Sequence, residues 1–77
     1  MISKPLKGRT YWYVADFLEA FSTIPVTRHK GGLKWHLGSG LYEYYYRYEP
    51  QNLFRKRKKA RKRAAKLNRE VKRKWVI

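Results

Sequence analysis

From Gln51 to Lys74 the chain runs without a proline or glycine, and thirteen of its side chains are lysine or arginine against one acid, Glu70. Few architectures accept such a segment. It cannot be a buried strand or core helix, because a charge removed from water needs a partner. The residues between the cations, chiefly alanine and leucine, are good helix formers, as are lysine and arginine themselves. The spacing predicts one long helix over residues 51–74, with Pro50 suited to its first turn, where a missing amide is no loss. At ~1.5 Å per residue that is a rod of roughly 36 Å. Leu53, Ala60, Ala64, Leu67 and Val71 align at steps near three and four, with Arg57 at the missing step, as one thin stripe of mostly small apolar groups. Cations three and four residues apart repel by a few tenths of a kcal/mol per pair, about 0.2–0.5. A rod of this kind is expected to fray alone and to settle against a polyanion.

The charge is unevenly placed. Residues 1–50 carry 7 basic and 4 acidic side chains, net +3, and residues 51–77 carry 13 basic and 1 acidic, net +12, out of a total of +15. The first part also holds 11 of the 13 aromatic residues, too many large rings for a solvating tail. The expected organisation is an aromatic-rich body over 1–50 and a basic helical RNA-binding arm over 51–77. At 77 residues one small domain is the ceiling. The absence of cysteine excludes disulfides and thiol chemistry, and no apolar run reaches the ~18 residues of a membrane span. Lys4, Lys7 and Arg9, with no acid before Asp16, are the composition of an organelle-targeting segment, but Pro5 and Gly8 break the helix such a segment needs.

Within the body, Thr10 can cap a short helix over 11–22, with Tyr11, Val14, Ala15, Leu18 and Phe21 on one face, Asp16 and Glu19 on the other, and Pro25 enforcing its exit. Val26 to Arg28 and Leu33 to Leu37 have strand character around His29, Lys30, Gly31 and Gly32, with Lys34 and His36 on the wet face. The register of that hairpin is not readable. Gly38, Ser39 and Gly40 make a break, and Leu41 to Tyr48 suits strand and helix equally. The fold class expected is mainly α with at most a small β-hairpin: a short N-terminal helix, an aromatic-rich middle and a long basic C-terminal helix.

The strongest functional signal is the arm. Arg55, Lys56, Arg57, Lys58, Lys59, Arg61, Lys62, Arg63, Lys66, Arg69, Lys72, Arg73 and Lys74 are the expected RNA-binding residues, and lysine and arginine mostly grip backbone phosphate without reading sequence. A second candidate is the turn Arg28, His29, Lys30, where Gly31 and Gly32 allow close approach to a phosphate. Trp12, Trp35 and the tyrosines at 42, 44, 45, 46 and 48 have faces on which unpaired bases stack. Most of these rings are expected in the core or in protein contacts, with Trp35, Tyr45 and Tyr46 kept as stacking candidates. Tyr45 and Tyr46 cannot share one face of a strand. His29 and His36 lack a nearby carboxylate and make poor metal ligands, so no metal or cofactor is expected. No nucleophile with a local base and no phosphate-binding loop of the NTPase type is present, and no catalytic residue or small-molecule substrate is expected.

The segment Tyr45, Tyr46, Arg47, Tyr48, Glu49, Pro50, followed by Arg55 to Arg63 and Ala64, Ala65, Lys66, Leu67, resembles the smallest protein of the bacterial-type small ribosomal subunit, the twenty-first in its series. The resemblance covers residues 45–67. It implies that Tyr48, Glu49 and Pro50 mark the start of the long helix and that Arg55 to Arg63 face ribosomal RNA. This chain lacks the family's lysine between Glu49 and Pro50, and residues 1–40 do not follow its helical first half. The function expected is a structural constituent of a ribosome, a mitochondrial one before a bacterial one, with ribosomal RNA and neighbouring ribosomal proteins as partners. The rivals are a DNA-binding architectural protein and a peripheral subunit of a large organelle complex. The second of these is disfavoured because the helix has no bulky apolar face to bury in lipid.

Overall fold

A computed structural model describes residues 4–17 and 20–75, the side chains of Phe17 and of 72–75 excepted. Strands β1 (Thr10–Phe17), β2 (Ala20–His29), β3 (Gly32–Gly38) and β4 (Leu41–Tyr45) form an antiparallel meander. The chain then returns to the opposite edge through a 3₁₀ turn (Pro50–Asn52), pairs β5 (Leu53–Phe54) with β1, and ends in helix α1 (Arg57–Trp75). The sheet order is β4-β3-β2-β1-β5.

The fold is therefore mainly β, and the expected mainly α class is overturned. The helix expected over 11–22 is β1 and the start of β2; Leu18 and Glu19 lie outside the described residues. Tyr, Trp, Val and Phe fit a pleated surface better than a helix. The helical pattern misled because β1 is covered on both faces. Tyr11, Tyr13 and Ala15 point into one core cluster, while Val14 lies in a second with Trp12 packed against it. A strand buried on both sides shows no alternation to read. Pro25 ends nothing; it lies inside β2 opposite Trp12. It sits one residue before β2 begins to pair with β3 at Val26↔Trp35, so on that side the position is an edge, where a missing amide is tolerated.

The sheet is rolled. β1 and β4 are three strand spacings apart, roughly 14 Å on a flat sheet, yet the Tyr13 and Tyr45 ring centroids are 6.0 Å apart. Inside the roll lie Tyr11, Tyr13, Ile24, Val26, Leu33 and Leu53, with Trp35, Tyr45 and Tyr48 packed against them. Close approach at the hairpin end depends on Gly32: a Cβ there would collide with the Tyr45 carbonyl oxygen and lie 2.9 Å from Tyr46 Cα.

The arm also differs from expectation. The helix starts at Arg57, seven residues after Pro50, because residues 50–54 make the 3₁₀ turn and β5; Tyr48, Glu49 and Pro50 do not mark its start. Leu53 leaves the expected helical stripe for the inner core. α1 is not free-standing. Ala60, 0 % exposed, and Ala64 lie on the outer face of the sheet against Val14, Trp12, Phe21 and Phe54. Small groups on the helix facing large rings on the sheet let the two layers interlock closely.

Candidate nucleic-acid interface

The docking of α1 sorts its cations. With Ala60, Ala64, Leu67 and Val71 turned toward the sheet, helical geometry puts Lys58, Lys59, Lys62, Lys66 and Arg69 on the opposite side. All five are exposed, and their nearest apolar companion there is Ala65. Arg61 flanks them, exposed, and Arg55 and Lys56 lie exposed in the bend before the helix. The Arg57 guanidinium sits 5.2 Å from the centroid of the Trp12 ring, within the range of a cation–π contact. The side chains of Lys72, Arg73 and Lys74 lie outside the described residues.

Arg63 differs from its neighbours. It is half-buried, and its Nε donates to Asn52 Oδ1 at 2.9 Å. Asn52, buried, donates through Nδ2 to Glu49 Oε2 at 3.2 Å, and its backbone amide donates to the Glu49 carbonyl at 2.9 Å. A guanidinium is thereby fixed between helix and return segment, which satisfies an amide that would be costly to bury alone.

The helix covers only part of the outer sheet face. The remainder, over β2, β3 and β4, carries His29, Lys34, His36, Tyr42 and Tyr44, with Tyr46 just past the strand. The register puts them together, since Lys34 pairs with Tyr44 and His36 with Tyr42. Tyr42 and Tyr44 are 43 % and 44 % exposed and Tyr46 is 69 % exposed. Lys34 Nζ lies 4.0 Å from the Tyr42 ring centroid, and the His36 ring meets Tyr42 edge-on at 5.3 Å. Thr27 Oγ1 and His36 Nε2 are 2.9 Å apart, which holds that imidazole in place. His29 packs beside Tyr44 at 4.6 Å, and the Tyr44 and Tyr46 rings lie nearly parallel, 18° apart, with centroids 6.3 Å apart.

Of the rings expected to stack on bases, Tyr46 is on the surface, while Trp35 and Tyr45 are half-buried against the inner core. The Tyr45 hydroxyl holds its proton to higher pH than an ordinary tyrosine, first because burial penalises the phenolate and then because Glu43 and Tyr13 lie nearby. Reading from the sequence did not connect Lys34 and His36 with the tyrosines. The signal was there: alternation along 41–46 sets residues 42, 44 and 46 on one face.

The Arg28–Lys30 turn divides between the two sides of the sheet. Lys30 takes a left-handed φ of +52° in a two-residue hairpin turn. Arg28 donates from Nη1 to the Pro5 carbonyl at 3.2 Å and from Nε to the Lys30 carbonyl at 3.4 Å. With Lys4, Lys30, Gly31 and Tyr48 it borders a cavity of about 230 Å³, while His29 faces the other way, toward Tyr44.

Among the described residues no helix is long and apolar enough to cross a membrane, and no group of three or more His, Asp or Glu could hold a metal ion. In comparison with known proteins, the chain matches no family model, no curated protein and no solved structure.

Proposed function

We propose that this chain is a non-catalytic RNA-binding protein, a structural component of a ribonucleoprotein particle, with ribosomal RNA the partner class favoured. One observation carries the reading. Five exposed cations share the outer side of a helix whose inner side is anchored to a sheet, so they stand as a fixed row facing water. A row of that kind answers a row of phosphates, and binding gains from the counterions it releases. RNA is favoured over duplex DNA because the uncovered sheet face beside the helix offers exposed tyrosines, and unpaired bases are commoner in folded RNA.

The test is binding of the purified chain to a structured RNA and to a DNA duplex of equal charge, across a salt series. The expected result is salt-sensitive binding with the RNA preferred at every salt concentration. Binding indifferent to salt, or absent, overturns the reading. A clear preference for the duplex would replace it with the architectural DNA-binding one.

A further inference from the structure

We infer that Tyr44 and Tyr46 form a slot for one unpaired base, which makes single-stranded or looped nucleic acid the ligand of the outer sheet face. The inference rests on the nucleic-acid reading above and adds to it a ligand class and a site. A base sandwiched between two rings needs about 6.8 Å between them, twice the ~3.4 Å stacking distance of neighbouring bases in a duplex. The two tyrosine centroids are 6.3 Å apart and the rings are within 18° of parallel, so the gap between them is at most 6.3 Å and the exposed rings must open to admit a base.

The slot is held in place on both sides. His29, packed against Tyr44 at 4.6 Å, limits the swing of that ring. Tyr46 is placed by its backbone, which passes so close to Gly32 that no side chain fits between them. The charge around the slot also suits a nucleic acid strand. Lys34 is the cross-strand partner of Tyr44, and its ammonium lies over Tyr42 at 4.0 Å, where it can meet a phosphate flanking the held base. Glu43, the acid nearest in sequence, pairs with Trp35 and so belongs to the opposite face of the sheet. Rings that stack on bases tolerate any sequence, because every base has a π face. The slot therefore selects unpaired over paired nucleotides without choosing among the four bases.

The experiment compares the full chain on two end-labelled probes at matched salt: a 12-nucleotide oligouridine and an abasic ribose-phosphate backbone of the same length. The wild type is expected to bind the base-bearing strand roughly 10-fold more tightly. Tyr44→Ala and Tyr46→Ala should each remove most of that advantage and leave the abasic probe unaffected, while Tyr44→Phe retains it. Tyr46→Leu, which keeps apolar bulk without a ring, should behave as Tyr46→Ala, and circular dichroism confirms that each variant is folded. Equal wild-type affinity for the two probes, or alanine variants that bind oligouridine as well as the wild type, overturns the slot and leaves the phosphate-binding helix standing. Failure to bind either probe overturns the slot, and the nucleic-acid reading falls with it if structured RNA is also left unbound.

Discussion

Asn68 of α1 makes a two-way hydrogen-bonded pair with the backbone of Phe21 in β2: the Phe21 amide donates to Oδ1 at 2.7 Å, and Nδ2 donates to the Phe21 carbonyl at 3.0 Å. The relationship explains how a ten-residue strand tolerates a neighbour that pairs with only its last four positions. Past the end of that pairing, the groups of β2 that turn away from β1 need other partners, and a helix side chain supplies them at Phe21. Asn68→Ala is expected to lower unfolding free energy by about 1–3 kcal/mol, because both backbone groups lose their partners in a half-buried place. Urea denaturation followed by circular dichroism measures it, and an unchanged midpoint would refute the role.

The contact between helix and sheet is made where Ala60 has no exposed surface. Ala60→Leu adds three carbons where the layers already interlock, and should cost about 1–3 kcal/mol through overpacking. The same change at Ala65, which is exposed, should be nearly neutral. Thermal melts of the two variants side by side distinguish a docked helix from a detached one, in which both would be harmless.

Charge removal should separate two kinds of cation on one helix. Replacing Lys58, Lys62 and Arg69 together by glutamine should flatten the slope of log affinity against log salt by about 2 for a single strand, with little loss of stability. Arg63→Gln should leave that slope nearly unchanged and instead destabilise the fold by about 1 kcal/mol, since the Asn52 oxygen loses its charged donor. Equal effects on the slope per charge removed would contradict this division of labour.

Tyr45 should make stability fall in alkali. Its folded pKa is raised, chiefly by burial, so on rising pH the unfolded chain ionises first. The stabilisation is present below the ordinary tyrosine pKa of about 10 and is lost as pH rises through that value toward the folded one. From pH 8 to 11 the unfolding free energy of the wild type should fall more than that of Tyr45→Phe, and a wild-type value that falls no more than the variant's, or rises against it, overturns the sign.

Legibility in the sequence tracked exposure. β3 could be read because Lys34 and His36 meet solvent while Leu33 and Trp35 point inward, leaving the two-residue period on view. β1 could not, because helix and roll bury both its sides and erase that period. Arg55 and Lys56 are as good helix formers as the residues after them, so composition alone gave no reason for the helix to begin only at Arg57. The reason is tertiary, the pairing of Phe54 with Trp12 that spends the preceding residues as strand. For the site, the arm's charge was plain, and so was the rule that Tyr45 and Tyr46 face opposite ways. Which of the two faced out required knowing where β4 lies relative to Tyr13.

A helix already seated on alanines and tied to Phe21 has little left to order when a ligand arrives. Association should then carry a small heat-capacity change and leave amide exchange along residues 57–71 nearly as slow before binding as after it, unlike a basic tail that condenses only on its target.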